Sequence, residues 1–243
     1  MVRMTGTVLA GLIGLTVLGG AVARAAPTGA VKGVVSFEGE PPERLPQRRD
    51  TDPYCARGEA LAEDVIVTRG KLKDVLVRVV SGGQPAAAAP PAPVVIDQKD
   101  CRYAPRVVGV IAGQPIAIRN SDGTFHNVHG AIAGKMLWNK PAIPNQPDLT
   151  LDGSTHPGDV IDILCDVHPW MHAYAVIMTN SRFVVTGEDG AFELTGLSPG
   201  TYTLEAWHPT LGTKSVTVTI GKAAKTVVST RLAFKRADLK SPP

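Results

Sequence analysis

The chain has 243 residues, of which 44% are hydrophobic and 19% charged, a composition that fits a folded globular protein and excludes wholesale disorder. Its 25 Lys and Arg residues against 22 Asp and Glu residues give a net charge of only +3. No basic cluster interleaves with aromatic side chains, so nucleic acid is not expected as a partner.

The first 25 residues have the pattern of a secretory signal peptide. Arg3 gives a positively charged start, residues 8–18 are apolar, and Ala23 and Ala25 are small residues where a signal peptidase reads. The apolar run is shorter than the roughly 20 residues that a membrane-spanning helix needs, so no stable span is expected after cleavage. An uncleaved N-terminal anchor is the alternative. We therefore expect a periplasmic or extracellular protein.

Export changes the interpretation of the three cysteines, because two of three are expected to pair in an oxidising compartment. Cys55 and Cys101 lie in turn-like sequence without neighbouring ligands, and we expect them to form a disulfide. Cys165 is then the unpaired cysteine. It is either a reactive free thiol or a ligand to a metal ion.

Short runs rich in Val, Ile and Thr recur along the mature chain between Gly, Pro, Asn and Asp, which is typical of β-strands. Up to residue 180 the predicted strands are 30–37, 65–67, 75–80, 94–96, 107–111, 116–119, 160–164 and 173–178. Only 60–63 has helix-forming composition, and 81–93, rich in Pro and Ala, is expected to be a surface loop. The pattern predicts an all-β sandwich or barrel.

After residue 180, Asp-Gly and Pro-Gly turns separate further predicted strands at 183–186, 191–195, 201–207, 214–220 and 226–234. The pattern D-G-x-F-x-L followed by L-x-P-G-x-Y-x-L runs from Asp189 to Leu204. It resembles the carboxypeptidase regulatory-like, or transthyretin-like, β-sandwich. That resemblance implies a small second sandwich over 181–243 and implies no chemistry.

The residues with the clearest chemistry lie in two stretches. Cys165, His168 and Met171 form a C-x2-H-x2-M motif directly after an apolar strand, and His126 ends a loop that follows another strand. A thiolate, two imidazoles and a weak thioether suit copper in both oxidation states. Zinc would accept the thiolate and the imidazoles but gains little from a thioether. The sequence therefore predicts one copper ion per chain, bound by these four residues.

Neighbouring residues supply further expectations. His129 is an alternative ligand to His126. Trp170 is expected to cover the site, and Asn127 to join the two ligand stretches through a side-chain-to-backbone hydrogen bond. His168 is expected near the exposed end of its loop, where electrons would enter.

Together these motifs resemble a cupredoxin. They are G-Q-P-I from Gly113, H-N-V-H from His126, P-G-D from Pro157 and C-D-V-H-P-W-M from Cys165, and the short ligand loop is most similar to that of amicyanin. The resemblance covers 107–178 and implies a Greek-key β-sandwich or barrel. It implies His126 and His168 as imidazole ligands, Cys165 as the thiolate and Met171 as the axial ligand. With its N-terminal extension, this domain is expected to span 26–180.

The predicted function is one-electron transfer through a type 1 (blue) copper centre, with a redox partner protein that the sequence does not identify. The protein fills every coordination position and the sequence contains no evident catalytic dyad, so an enzyme is not expected. Two alternatives stay open. One is a copper handling or storage protein that uses the same residues. The other is a structural β-sandwich module with a vestigial metal site.

Overall fold

The computed structural model describes residues 28–82, 86–223 and 226–239. The predicted signal peptide, 1–25, lies outside the described residues. Regular structure in the described part is β-strand, apart from one 3₁₀ turn at Arg236–Asp238. The predicted all-β class is confirmed. Within those three ranges no helix combines the length and the apolar character needed to cross a membrane.

The strands are, in chain order, β1 (Gly29–Glu38), β2 (Val67–Thr68), β3 (Lys71–Leu72), β4 (Leu76–Ser81), β5 (Val94–Lys99), β6 (Arg102–Ala104), β7 (Val107–Ile111), β8 (Ile116–Asn120), β9 (His126–Ile132), β10 (Lys135–Ala142), β11 (Leu149–Leu151), β12 (Val160–Leu164), β13 (His172–Met178), β14 (Phe183–Val185), β15 (Ala191–Leu197), β16 (Gly200–His208), β17 (Gly212–Ile220) and β18 (Val227–Lys235).

The strands form four sheets that pack as two sandwiches. One pair of sheets has the orders β15–β1–β3–β2, with β18 also paired to β1, and β14–β4–β16–β17. The other pair has the orders β10–β9–β12–β13–β7 and β11–β8–β5–β6. We call the first pair the terminal sandwich, because it holds strands from both ends of the chain, and the second pair the inserted sandwich.

The terminal sandwich joins the two ends of the described chain. Strand β1 pairs in parallel with β18 along its length, from Ala30 opposite Val227 to Glu38 opposite Lys235. Alternate side chains of β1 and β16 are buried in a common apolar core. Both sheets of this sandwich therefore contain strands from before and after residue 180. Strands within 29–81 share sheets with strands within 183–235.

The inserted sandwich contains β5 to β13, and its two sheets enclose a second apolar core. In β12 the side chains of Ile161 and Ile163 point into this core, while the other three residues of the strand are half-buried. A third cluster joins the two sandwiches, with Leu76 of β4 against Val107 and Val176. Gly109 permits this approach, because the ring of Phe183 occupies the space that a Cβ would take.

Two local features do not follow from the sequence pattern. The helix-forming residues 60–63 form no helix and lie in the long connection between β1 and β2, where Leu61 forms an isolated bridge with Pro46. The hairpin of β9 and β10 was not predicted. Strand β10 lies at a sheet edge with most side chains exposed, so it lacks the hydrophobic alternation that marks a half-buried strand.

Candidate metal centre

His126 is the first residue of β9, and the loop before it is shaped by Asn120. The Asn120 side-chain amide donates to the carbonyls of Thr124 and Ala142, at 3.0 and 2.8 Å, and its oxygen accepts from the N–H of Asp122 at 3.0 Å. Such local bonds favour a compact turn over continued strand. They place Asp122 beside His126, four residues further along the chain.

The other ligand stretch is the tip of the β12–β13 hairpin. The backbone N–H of Met171 donates to the carbonyl of His168 at 2.8 Å, and the N–H of Cys165 donates to the carbonyl of Met171 at 3.3 Å. This tight loop turns all three side chains inward: the relative exposures are 1% for Cys165, 3% for His168 and 1% for Met171.

Three donor atoms of the predicted site converge. Nδ1 of His126 lies 2.8 Å from Nδ1 of His168, and the sulfur of Cys165 lies 3.9 and 3.6 Å from these two nitrogens. All three side chains are buried, so the structure brings together residues that are 42 positions apart in the chain. Met171 is packed with Cys165 in the apolar core of the inserted sandwich.

Each imidazole is also held on its opposite side by a carboxylate. Nε2 of His126 lies 2.9 Å from Asp122 Oδ2, and Nε2 of His168 lies 3.0 Å from Asp52 Oδ2. A carboxylate at one ring nitrogen fixes the ring orientation and leaves the other nitrogen available for an ion. Here both free nitrogens are Nδ1, and both face Cys165.

The two imidazoles are in different electrostatic environments. Burial acts to lower the pKa of His126, but the hydrogen bond with Asp122 and the neighbouring Cys165 outweigh it, and this pKa is raised. Burial dominates at His168 and lowers its pKa, although Asp52 opposes the shift. The neutral, metal-binding form is therefore more accessible at His168.

Asp52 belongs to the N-terminal part of the chain, which the sequence did not connect with the site. Burial acts to raise the pKa of Asp52, but hydrogen bonds from Thr124, from the N–H of Tyr54 and from His168 outweigh it and lower this pKa to about 2. Asp52 is therefore held as a carboxylate beside the imidazole.

Tyr103 is a second contributor that the sequence missed. Its buried hydroxyl donates to the carbonyl of Leu164 at 3.0 Å and lies 3.2 Å from the carbonyl of Asn127. Gln98, also buried, donates to the same Asn127 carbonyl at 3.3 Å. These bonds join the residue after His126 to the residue before Cys165. Nothing in the local sequence marks this role, since it depends on the pairing of β5, β6 and β9 with their neighbours.

The predicted tie through Asn127 is confirmed. Its side-chain oxygen accepts from the N–H of Asp166 at 2.7 Å and lies 3.3 Å from the Cys165 sulfur. His129, the alternative ligand, is instead 2.9 Å from the Asp166 carboxylate and outside the donor group. The hydrogen bond with His129 is the largest contribution to the lowered pKa of Asp166.

The predicted disulfide between Cys55 and Cys101 is confirmed and lies directly beside the site. The Cys55 sulfur is 3.8 Å from Nε2 of His168. The prediction that His168 lies at an exposed loop end is therefore wrong, because the N-terminal segment covers it. Trp170 covers the site as predicted: its ring lies 5.1 Å from that of His168, and its N–H donates to the Cys101 carbonyl at 3.0 Å.

The donor set suits a soft ion in its chemistry, but the two imidazole Nδ1 atoms, 2.8 Å apart, would have to separate to bind one. Metal bonds of about 2.0 Å at a tetrahedral angle place two nitrogens roughly 3.3 Å apart. Metal bonds of about 2.0 Å to imidazole nitrogen and about 2.3 Å to thiolate sulfur require nitrogen–sulfur separations of roughly 3.5–3.8 Å. The separations from Cys165 to His126 and His168, 3.9 and 3.6 Å, are close to this range. Cys55 and Cys101 are joined to each other and offer no thiolate, so Cys165 is the free thiol of the described site.

Comparisons with known proteins place cupredoxins among the similar solved structures. No family model and no curated protein matches the chain. The novel purple cupredoxin from Nitrosopumilus maritimus is 19% identical, with a TM-score of 0.29, over 35% of this chain and 98% of its own. A reduced-state amicyanin mutant is 22% identical, with a TM-score of 0.32, over 42% and 97%. Amicyanin from Paracoccus versutus is 21% identical, with a TM-score of 0.31, over 42% and 96%.

Tyr103→Phe is expected to lower the free energy of unfolding by about 1–3 kcal/mol, because buried backbone carbonyls beside both ligand stretches lose a donor. Chemical denaturation of the metal-free protein measures this loss. Tyr174→Phe is the matched control, since its half-buried hydroxyl bonds only His172 at 3.2 Å among the described contacts, and we expect a loss below about 1 kcal/mol there. Equal losses for the two variants would contradict the role assigned to Tyr103.

Proposed function

We propose that the chain is an exported mononuclear copper protein that transfers one electron at a time. The observation that carries this proposal is the buried convergence of two imidazole Nδ1 atoms on one thiol sulfur, at His126, His168 and Cys165. A bound copper ion supplies a one-electron couple, and two imidazoles, a thiolate and a weak thioether suit both of its oxidation states. Met171 is the proposed fourth ligand.

The surroundings of the donors support electron transfer over catalysis. The relative exposures of His126, Cys165 and His168 are 0%, 1% and 3%, which leaves a substrate no path to them. A catalytic metal site keeps an open position, whereas electron transfer needs none. We therefore propose that the protein is not an enzyme.

The supporting residues limit movement of the ligands. Asp122 and Asp52 hold the outer nitrogens of the imidazoles, while Tyr103 and Asn127 join the backbones that carry them. Donors fixed in this way change position little when the charge between them changes. A small rearrangement favours rapid electron exchange.

The burial of His168 moves the proposed electron entry to Trp170. This side chain is half-buried, lies over the His168 ring and is flanked by the exposed Pro169. We propose that a redox partner of the periplasm or extracellular space approaches here. The partner protein itself is not identified by the site.

Copper handling is the second candidate, and it would use the same ligands. The enclosed donors favour electron transfer, in which the ion is retained, over copper delivery. Delivery requires a competing ligand to reach the metal. We propose a scaffolding role for the terminal sandwich, whose C-terminal strands carry the transthyretin-like pattern. No described residue of the donor group comes from that sandwich.

Titration of the purified mature protein with Cu(II) tests the proposal. We expect one equivalent to produce an intense visible thiolate-to-copper band that a reductant bleaches. Cys165→Ser should abolish the band, because only the thiolate gives this transition. Binding without the band would favour copper handling. Absence of binding would contradict both and leave a structural module.

Trp170→Leu is expected to slow electron exchange of the copper-loaded protein by roughly threefold to tenfold, because the ring contact with His168 is lost. Stopped-flow reduction by a small inorganic reagent measures this rate. Trp138→Leu, on β10 and outside the site, is the control and should leave the rate unchanged. An unchanged rate in Trp170→Leu would place electron entry elsewhere.

A further inference from the structure

The segment 39–66 connects β1 to β2 and contains no strand or helix, apart from the isolated bridge between Pro46 and Leu61. Two backbone hydrogen bonds hold its arms together, from Gln47 to the Ala60 carbonyl at 2.7 Å and from Ala62 to the Leu45 carbonyl at 2.8 Å. Connections longer than about 15 residues without regular structure are uncommon in compact domains and are often lids or binding loops. We call this segment the cap.

The middle of the cap lies on the proposed metal centre. Asp52 contacts Nε2 of His168 at 3.0 Å, and its carboxylate also accepts from the Thr124 hydroxyl at 2.8 Å. The Cys55 sulfur lies 3.8 Å from the same Nε2. These contacts cover the Nε2 side of the buried His168, while the Trp170 ring packs against it from the ligand loop.

The cap is fastened to the turn between β5 and β6. The disulfide joins Cys55 to Cys101, and the Arg49 guanidinium donates to the Asp100 carbonyl at 2.6 Å. The N–H of Cys101 donates to Asp122 Oδ2 at 2.9 Å, and Asp122 holds His126. The cross-link is therefore coupled through short contacts to the outer nitrogens of both imidazoles.

A surface cavity of about 460 Å³ is lined by one of the two cysteines of this disulfide. Cys101 lines the cavity and Cys55 does not, although each residue is only 1% exposed. The remaining lining residues are Arg49, Tyr54, Arg57, Glu59, Asp100 and Arg102. Three guanidinium groups thus face two carboxylates.

Two of these arginines have unused donors. The Nε atoms of Arg49 and Arg102 are buried and have no hydrogen-bond partner. Arg49 as a whole is 8% exposed, and Arg102 is paired with Glu63 at 3.2 Å. Guanidinium groups beside a sulfur favour the approach of an anionic thiolate, which is the form that attacks a disulfide.

We propose that Cys55–Cys101 is a thiol–disulfide exchange site, entered through this cavity, whose reduction releases the cap from the metal centre. The substrate class is an anionic thiol. That the released cap exposes a metal ion rests on the proposed function, whereas the exchange reaction does not.

The exchange is a two-electron reduction by two thiol molecules. The thiolate of the first attacks the Cys101 sulfur, the Cys55–Cys101 bond breaks, and a mixed disulfide forms at Cys101. Cys55 leaves with the electron pair and takes up a proton from solvent. A second thiolate attacks the sulfur of the bound reagent, so that Cys101 is freed as a thiolate, which is protonated, and the two reagent molecules become one disulfide.

The first experiment measures reduction of the metal-free mature protein by mercaptoethanesulfonate, which is anionic, and by cysteamine, which is cationic. Arg57→Glu should slow the anionic reagent by roughly threefold to tenfold and accelerate the cationic one, since the exposed Arg57 lines the cavity. Arg231→Glu, exposed on β18, is the charge-matched control and should change neither rate. Equal effects of the two variants, or reduction only after global unfolding, would overturn the exchange site.

The second experiment tests release of the cap by amide hydrogen exchange of the metal-free protein. In Cys55→Ser/Cys101→Ser, amides of 39–66 should exchange about tenfold faster or more, while those of β12 and β13 stay protected. Retained protection of the cap would overturn the release. Loss of protection in all strands would also overturn it, because the disulfide would then stabilise the whole fold.

The copper-loaded forms separate this inference from the proposed function. We expect EDTA to remove Cu(II) from the double variant about tenfold faster or more than from the parent. Equal rates would overturn control of the metal by the cap. A parent that binds no Cu(II) would contradict the proposed function and with it this control, and amide exchange would still decide whether the cap opens.

Discussion

The structure of the site depends on the two carboxylates that hold the outer nitrogens of the imidazoles. Asp122 and Asp52 bind Nε2 of His126 and His168, so that both Nδ1 atoms turn toward Cys165. A carboxylate at the outer nitrogen fixes the orientation of each buried ring. Because the carboxylates come from different parts of the chain, the site forms only when the fold is complete.

The arrangement of the sandwiches explains how those parts meet. The inserted sandwich supplies His126 and Cys165 from β9 and the end of β12, while Asp52 arrives on the cap that leaves β1 of the terminal sandwich. Strand β1 is held by β18, at the other end of the chain. The terminal sandwich therefore anchors the segment that covers the candidate metal centre, which supports the structural role proposed for it.

Local sequence was sufficient to predict that His126, Cys165 and His168 lie together, and insufficient to predict the residues that hold them. The C-x2-H-x2-M spacing identified Cys165 and His168 because one tight hairpin loop contains them. Asp52 and Tyr103 act across sheets, and no periodicity or spacing relates Asp52 to a histidine 116 residues later. Because the contact between Asp52 and His168 was not predicted, His168 was wrongly expected to be exposed. The all-β class could be predicted from the short strands. The pairing of strands within 29–81 with C-terminal strands could not, because hydrophobic alternation identifies a strand and does not identify its distant partner.

The central claim is that the two Nδ1 atoms and the Cys165 sulfur bind one copper ion. X-ray absorption at the copper edge of the stoichiometrically loaded protein tests it most directly. We expect two imidazole nitrogens and one short sulfur bond around copper, with the sulfur contribution lost in Cys165→Ser. A first shell of oxygen and nitrogen without sulfur in the parent protein would contradict it.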